Sequence, residues 1–395
     1  MKSLLRWLSR SRYPYEPLIK VEISRSRLLS NLERFQNIAP NGIIAPVLKS
    51  NAYGHGLLDV ARILERYRRG LPSPGRDVVH PIPFFVVDSF FEALALRNQG
   101  IRAPLLVIGY TRPETIMASS LRDVSFMVGS LDSLQAIESI EHPVRIHLKI
   151  DTGMRRQGIL PQEIDAALGS LENNENLALE GLCTHFSDAD DPDGAFTEGQ
   201  IRVWNKAVTR FKNGFRRLKY FHASNTDGHR YSSEIDANVS RLGIGLYGLV
   251  DGSAFSPALD LKPVLSMKTV VSAVKKISRG DSVGYGRTFK ADRDMTIATV
   301  PAGYYEGIDR RLSNNGSLLI GPDSEPCPII GRVSMNITTV DASHAYKAAQ
   351  GEEATLISDE PSDLNSVMNI AKACGTIPYE IAVHIPAHLK RVVMD

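Results

Sequence analysis

Residues 43–56 read Ile43-Ile44-Ala45-Pro46-Val47-Leu48-Lys49-Ser50-Asn51-Ala52-Tyr53-Gly54-His55-Gly56. A mostly apolar run of this length is the pattern of a strand covered on both faces. Strands of that kind build parallel sheets, and α/β proteins keep their chemistry at the carboxyl edge of such sheets. Lys49 stands at that edge. Taken alone it reads as a solvated strand-end lysine, as most lysines are. A desolvated lysine is different: its pKa falls, and it can act as a base or form a Schiff base.

Working outward, the same grammar recurs. From about residue 27 to 250, short apolar runs lie at 43–48, 83–87, 104–109, 124–128, 144–150, 179–186, 219–223 and 242–247. Between them are stretches such as 57–67 and 90–98, with apolar residues at three- and four-residue spacing. Strand alternating with helix predicts a parallel sheet, and eight such strands predict a (β/α)8 TIM-type barrel. After residue 257 the pattern changes. Runs at 264–277, 295–300, 317–321, 329–340 and 354–358 are β-rich and broken by Gly, Asp and Pro. Only 364–374 reads as a helix, with Gly375 as its stop. The fold class is therefore α/β, a barrel at 18–257 followed by a mostly β C-terminal domain at 258–395. Residues 18–23 are a candidate strand of the second domain, and residues 1–17 form an N-terminal extension.

The chain has 395 residues, 43% hydrophobic and 23% charged, an ordinary soluble composition. A net charge of +2 carries no attraction for nucleic acid or an anionic membrane. Cys183, Cys327 and Cys374 are too few and too scattered for a disulfide framework or a zinc site, so no metal is expected. Reduced cysteines point to the cytoplasm. No apolar stretch approaches the ~18 residues needed to span a bilayer. Residues 1–17 carry Lys2, Arg6, Arg10 and Arg12 around Leu4, Leu5, Trp7 and Leu8. Arg6 interrupts the apolar part, which makes a poor signal peptide and a better terminal helix. Without an export signal, the Asn-x-Ser/Thr sequons at Asn238, Asn315 and Asn336 carry no meaning. Residues 67–83 read as a long surface loop.

In a barrel, unusual residues at strand ends share one rim. Lys49 and Tyr53 follow the first strand; Lys149, Asp151, Thr152 and Arg156 follow the fifth; His185 ends the sixth; His222, Asn225 and Thr226 end the seventh; Arg241, Gly243 and Ile244 open the last run. Each has a bland reading. His185 suits a core histidine, Arg155 and Arg156 suit solvent, Asn225-Thr226-Asp227 suits a helix cap, and Gly243 suits a bend. Their convergence favours function. Guanidinium and backbone N–H groups suit phosphate and carboxylate. An amine among them suits an aldehyde cofactor such as pyridoxal 5'-phosphate (PLP), which is usually anchored by a lysine.

Pro46-Val47-Leu48-Lys49-Ser50-Asn51-Ala52-Tyr53-Gly54-His55-Gly56 resembles the PLP-lysine motif of the alanine racemase family. So do Lys149-Ile150-Asp151-Thr152-Gly153-Met154-Arg155-Arg156-Gln157-Gly158, Thr184-His185-Phe186, His222-Ala223-Ser224-Asn225-Thr226 and Arg241-Leu242-Gly243-Ile244-Gly245-Leu246-Tyr247-Gly248. The β-rich half continues with Gly284-Tyr285-Gly286-Arg287-Thr288, Gly303-Tyr304, Gly331-Arg332-Val333-Ser334-Met335-Asn336 and Ile377-Pro378-Tyr379-Glu380. These motifs keep the family order from about residue 18 to 394. The resemblance implies a barrel plus a β domain acting as a homodimer, with an amino acid as substrate. It implies two catalytic bases: Lys49, which also holds PLP, and Tyr285 from the other subunit, on the opposite face of the substrate. A phenol has an ordinary pKa of ~10, so this role calls for positive charge nearby.

Arg241 resembles the family arginine that contacts the pyridine nitrogen. A guanidinium does not easily surrender a proton, so that nitrogen would stay largely unprotonated. His185 and His222 would support the arginine. Tyr53, Asn225, Thr226, Gly243, Ile244 and Tyr379 match cofactor-binding positions; Thr226 keeps the hydroxyl of the more usual serine. Arg156 would touch the cofactor's phenolic oxygen and the substrate carboxylate. Met335, Asn336 and Tyr304 match the substrate side, Met335 through its backbone N–H. Lys149 matches a lysine that is carbamylated in some members.

Three departures stand out. Asn336 replaces the usual aspartate, Arg155-Arg156-Gln157 replaces Gly-Arg-Leu, and Ser334 replaces a frequent cysteine. Together they make a more polar and more cationic pocket, which widens the expected substrate range from alanine toward serine. The implied activity is conversion of L-alanine to D-alanine for peptidoglycan, with a broad-specificity or serine racemase as the alternative. A decarboxylase of the related barrel fold is a weaker reading, because such enzymes usually keep an acidic partner at the pyridine nitrogen. A non-catalytic PLP carrier leaves the β domain and Tyr285 without a role.

Overall fold

The computed structural model describes residues 16–39, 43–70, 81–172, 174–215, 218–250, 255 and 258–395. The basic segment read at 1–17 lies outside these but for its last two residues, and so does most of the loop read at 67–83. The chain divides into two compact units: Ser24–Val264, and Leu265–Met394 with the chain before Ser24. Strand β1 (Lys20–Ser24) opens the described chain, and the helix Arg25–Ile38 follows it, capped by the Ser24 hydroxyl.

The first unit is a closed parallel barrel. Its strands are β2 (Ile44–Pro46), β3 (Phe85–Val87), β4 (Leu105–Val107), β5 (Val124–Val128), β6 (Val144–Lys149), β7 (Leu177–Cys183), β8 (Tyr220–His222) and β9 (Ser240–Leu242). Strands β3 to β8 pair in sequence order, and β2 pairs with β9, all in parallel. A Val47–Val86 bridge joins β2 to β3. The Arg241 amide donates to Ser224 O at 3.2 Å and the Asn238 amide to Phe221 O at 3.0 Å, joining β8 to β9. The short strands are buried from end to end because the barrel fills one face and helices cover the other. The helix Leu57–Arg68 shows why: Val60, Leu64 and Tyr67 lie buried at helical spacing, the Val60 and Leu64 side chains contributing about 1.5–3 kcal/mol each.

Two departures from the sequence reading shape the rim. The last strand is Ser240–Leu242, and Ile244–Tyr247 winds as a tight turn ended by Gly248 at φ +68°. The run 242–247 is therefore not the strand. Arg241 sits within the strand, and Gly243 and Ile244 lie just beyond its carboxyl end. A β-bulge also interrupts β6 and β7. Ile146 pairs with Leu179 but His147 pairs with Gly181, so Glu180 is an extra residue.

The second unit holds a six-stranded sheet in the order Glu325–Pro328, Ser317–Ile320, Glu353–Ile357, β10 (Leu265–Val270), β1, Lys390–Met394. β1 runs antiparallel to β10, with Lys20 opposite Lys268 and Ile23 opposite Leu265. A three-stranded sheet joins Ala273–Ile277, Met295–Val300 and Thr338–Asp341. Of the run 329–340, only its end is strand; Gly331, at φ +73°, turns the chain before it. The predicted helix is Val367–Cys374, capped by Ser366 and stopped at Gly375 with φ +63°. A second helix, Pro378–Val383, was not predicted, being too short to show a period. Among the described residues, no helix is long and apolar enough to cross a membrane.

Candidate active site

Lys49 opens a turn of the wrong hand. Ser50, Asn51, Ala52 and Tyr53 have φ of +57°, +56°, +53° and +51°, a left-handed wind that asparagine tolerates and serine, alanine and tyrosine do not favour. Each such residue costs about 1–2 kcal/mol, so the turn must be held from outside. Glu92 does part of this: its Oε1 accepts from the Asn51 amide at 3.2 Å and its Oε2 from the Asp88 amide at 2.9 Å. Asn51 Oδ1 accepts from the Leu57 amide at 2.9 Å, tying the turn to the next helix. His55, fully buried, donates from Nδ1 to Tyr53 O at 2.9 Å and packs against Tyr247. The Tyr247 hydroxyl donates to Val47 O at 2.9 Å.

Burial pulls the Lys49 amine below its ordinary pKa; Asp88 opposes this, and Arg156 and Arg241 add to it. The neutral amine, the form that acts as base or nucleophile, is thereby made more available. Lys149 is buried at the end of β6, and its amine is also lowered by burial, with Cys183 opposing and Arg156 and Arg241 adding.

Arg241 is buried, and its hydrogen bonds to the described residues leave from its two terminal nitrogens. Nη1 donates to His222 Nδ1 at 2.7 Å and to His222 O at 2.6 Å. Nη2 donates to Thr184 O at 2.7 Å and Ala223 O at 3.0 Å, with His185 Nδ1 at 3.2 Å. A guanidinium only donates, so both histidines accept through Nδ1 and carry their proton on Nε2. Burial, reinforced by Arg241, holds both imidazoles well below their ordinary pKa, in agreement with this tautomer. Arg241 Nε has no protein partner among the described residues and remains available to an acceptor.

Beside this arginine lie the predicted anion-binding residues. The Gly245 amide donates to Thr226 Oγ1 at 3.2 Å. A Cβ at Gly243 would come within 2.7 Å of Tyr53 Oη, so glycine is what lets that hydroxyl approach the backbone. The amides at the head of the turn Ile244–Tyr247 have no acceptor within it. Asn225 Oδ1 accepts from the Gly228 amide at 2.8 Å, so this oxygen caps a turn. Arg156 is exposed and has no ion pair among the described residues, whereas Arg155 is folded toward Asp151, which accepts from the Arg155 amide at 3.1 Å. Arg155 has φ +56°, a conformation natural to the glycine it replaces.

These residues fit PLP. Lys49 offers a desolvated amine for the aldehyde, Arg241 Nε a free donor for the ring nitrogen, and Tyr53, Thr226 and the Gly243–Ile244 backbone a cradle for phosphate. The barrel thus brings together Lys49, Tyr53, His185, His222, Thr226, Arg241, Gly243 and Ile244.

The remaining candidates stand in the second unit. Tyr304 and Met335 lie on adjoining loops: the Tyr304 amide donates to Ser334 O at 3.0 Å and the Tyr305 amide to Met335 O at 2.9 Å. Buried Glu306 clamps both loops, accepting from the Gly303 amide at 2.8 Å and from Asn336 Nδ2 at 2.6 Å. A carboxylate at 336 would meet this one. Asn336 therefore puts an amide–carboxylate hydrogen bond where an aspartate would set two carboxylates together. Tyr285 is 73% exposed, in a loop between Gly284 at φ +73° and Gly286 at φ +71°. Tyr379 is part of the helix Pro378–Val383.

The sequence reading missed Glu92, His147, Glu180 and Glu306. The signal for His147 was present: Arg145, His147 and Lys149 alternate along a strand whose other positions are apolar. Glu92 and Glu306 had a local signal as the third residue after a helix or turn start, but their second partners, Asn51 and Asn336, are distant in sequence, and Glu180 owes its place to a bulge.

Residues 23–251 match the family described as "Alanine racemase, N-terminal domain", and residues 264–393 "Alanine racemase, C-terminal domain". An alanine racemase of Sorangium cellulosum is 34% identical over 387 residues, covering 94% of this chain and 98% of that one. The solved alanine racemase of Clostridium difficile 630 superposes with a TM-score of 0.85 at 29% identity, covering 96% of each chain. That of Bacillus anthracis with bound L-Ala-P gives 0.83 at 29% identity, covering 97% of this chain and 96% of that one. With its lysine turn, its buried arginine and both halves matched, the chain belongs to the alanine racemase family.

Proposed function

We propose that the protein is a PLP-dependent racemase that interconverts L-alanine and D-alanine with two bases, supplying D-alanine for peptidoglycan in the cytoplasm. The observation that carries this is the pairing of a desolvated Lys49 amine with Arg241, whose two terminal nitrogens are committed to the protein and whose Nε is free. Bound PLP supplies the electron sink that makes the substrate α-hydrogen acidic. Lys49 Nζ moves the proton on one face, and Tyr285 Oη moves it on the other. Arg156 and the Met335 amide hold the substrate carboxylate. Tyr53, Thr226, Gly243, Ile244 and Tyr379 hold the phosphate, and Asn225 shapes the turn beside Thr226. A phenol 73% exposed in a single chain, on a loop tied down by glycines, supports the assignment of Tyr285 to the site of a second copy. The active species is then a homodimer.

The test is direct. The purified protein is expected to show the visible absorption of lysine-bound cofactor and to exchange the α-hydrogen of L-alanine in D2O. L-serine is expected to turn over more slowly, and L-lysine not at all. Lys49→Ala removes the absorption; Tyr285→Phe keeps it and loses racemisation in both directions, while α-hydrogen exchange in D2O persists from one enantiomer more than from the other. Undiminished racemisation by Tyr285→Phe refutes the two-base assignment.

A further inference from the structure

Behind Arg241 a line of polar side chains runs through the barrel interior. His222 Nε2, which carries the proton, lies 2.7 Å from Nδ1 of His147, a fully buried residue two positions before Lys149 on β6. His147 Nδ1 must accept, so its own proton is on Nε2. That nitrogen has no hydrogen-bond partner among the described residues, and the carboxylate it faces is Glu180, whose Oε2 lies 3.7 Å away. Glu180 is held in turn by the Ser125 hydroxyl at 2.7 Å and by Lys219 Nζ at 3.6 Å. The order is guanidinium, neutral imidazole, neutral imidazole, carboxylate. It runs one way only. A protonated His147 would present Nδ1–H to His222 Nε2 and drive the His222 proton onto Nδ1, against a donor that cannot accept.

Two local features build this line. The bulge makes Glu180 the extra residue of β7, freeing its side chain from the regular alternation. Next to it, a Cβ at Gly181 would fall 2.6 Å from His147 Nδ1, so only glycine leaves room for the imidazole. Phe84 and Tyr220 pack against the His147 ring and fix its plane. Nothing in an apolar barrel core calls for a buried histidine and a bulged glutamate; desolvating them is costly unless they are paired.

We propose that His147 and Glu180 are positioning residues for Arg241: they set the tautomer of His222 from the opposite end of the barrel, and thereby hold the guanidinium with Nε turned free toward the cofactor ring. The cofactor part rests on the racemase reading; the tautomer part does not. Glu180 is the fixed terminus: burial pushes its carboxyl up, and His147, Ser125 and Arg145 together hold it below the usual carboxylate range.

The experiment combines imidazole 15N NMR on the PLP-free and PLP-loaded protein with equilibrium PLP binding, in wild type, Glu180→Leu and Glu180→Gln. Wild type is expected to show His222 and His147 each as the Nε2–H tautomer. Glu180→Leu is expected to turn both into tautomer mixtures and to weaken PLP binding about tenfold, the lower end of outer-shell losses at metal sites. Glu180→Gln, which keeps an acceptor without charge, is expected to shift the same signals less, and it decides the matter by the same readings should the leucine variant not fold. A folded variant with wild-type His222 signals and wild-type PLP binding overturns the proposal. A wild-type protein that binds no PLP refutes the racemase reading, while the His222 and His147 tautomers still decide this one.

Discussion

At the scale of single residues, one arginine is held in a conformation that its side chain opposes. Arg155 occupies a left-handed conformation at φ +56°, and its guanidinium is largely exposed and 4.0 Å from Asp151, a contact of little worth. Arg155→Gly removes about 1–2 kcal/mol of strain and adds some unfolded-state entropy, for a net gain of roughly 0.5–1 kcal/mol, read by denaturant unfolding. His229 is a second misfit. It is fully buried, neither ring nitrogen has a partner among the described residues, and burial lowers its pKa to about 4. The unfolded chain, titrating near 6.5, therefore binds more protons than the folded one between about pH 4 and 6.5. Stability from the neutral His229 is complete above that window and is lost as pH falls through it, by about 2–3 kcal/mol at pH 4.5. His229→Leu is expected to erase that share of the acid sensitivity when unfolding at pH 7 and pH 4.5 is compared. Lys49, Arg241 and Gly243 were legible in the sequence because they sit in long local motifs. The clamp at Glu306 was not, since its meaning lies in the Asn336 amide thirty residues away, and that pairing changes how the Asn336 departure is read.

At the scale of elements, most barrel strands were legible because burial on both faces leaves unbroken apolar runs. The last was misplaced for a physical reason. Leu242-Gly243-Ile244-Gly245-Leu246-Tyr247 is apolar throughout, but its glycines let the chain leave the sheet and wind into a turn, while the true strand contains a charged residue, Arg241. A buried arginine inside a strand looks wrong until its acceptors are known. The left-handed wind after Lys49 was equally hidden, because Ser50-Asn51-Ala52-Tyr53 carries no glycine to announce it. Its support is visible only in three dimensions. Glu92→Ala leaves the Asn51 and Asp88 amides without acceptors and is expected to destabilise the fold by about 1–2 kcal/mol. PLP binding by that variant is expected to weaken in parallel, measured by equilibrium titration.

At the scale of the whole molecule, the β-rich unit was legible as a class but not as a layout. Its sheets join strands far apart in sequence, β1 against β10 for example, and no local pattern reports such pairing. The function assigned to the two units predicts complementation. A dimer with shared sites places Lys49 of one copy with Tyr285 of the other. Lys49→Ala and Tyr285→Phe proteins, each impaired alone, then form mixed dimers with one intact site. Unfolding and refolding them together is expected to give roughly a quarter of wild-type activity, half the molecules having half their sites. Activity no greater than the sum of the separate variants would argue for sites built within one copy.

The wind at Ser50–Tyr53 has a kinetic meaning as well. A segment that prefers the other hand when free gains nothing by forming early, so it closes only after the helix bearing Glu92 has docked. Its contacts then belong to the native state and not to the transition state for folding. Losing them speeds unfolding and leaves refolding nearly unchanged. The lysine on which the chemistry depends would be among the last residues to take its place and among the first to lose it.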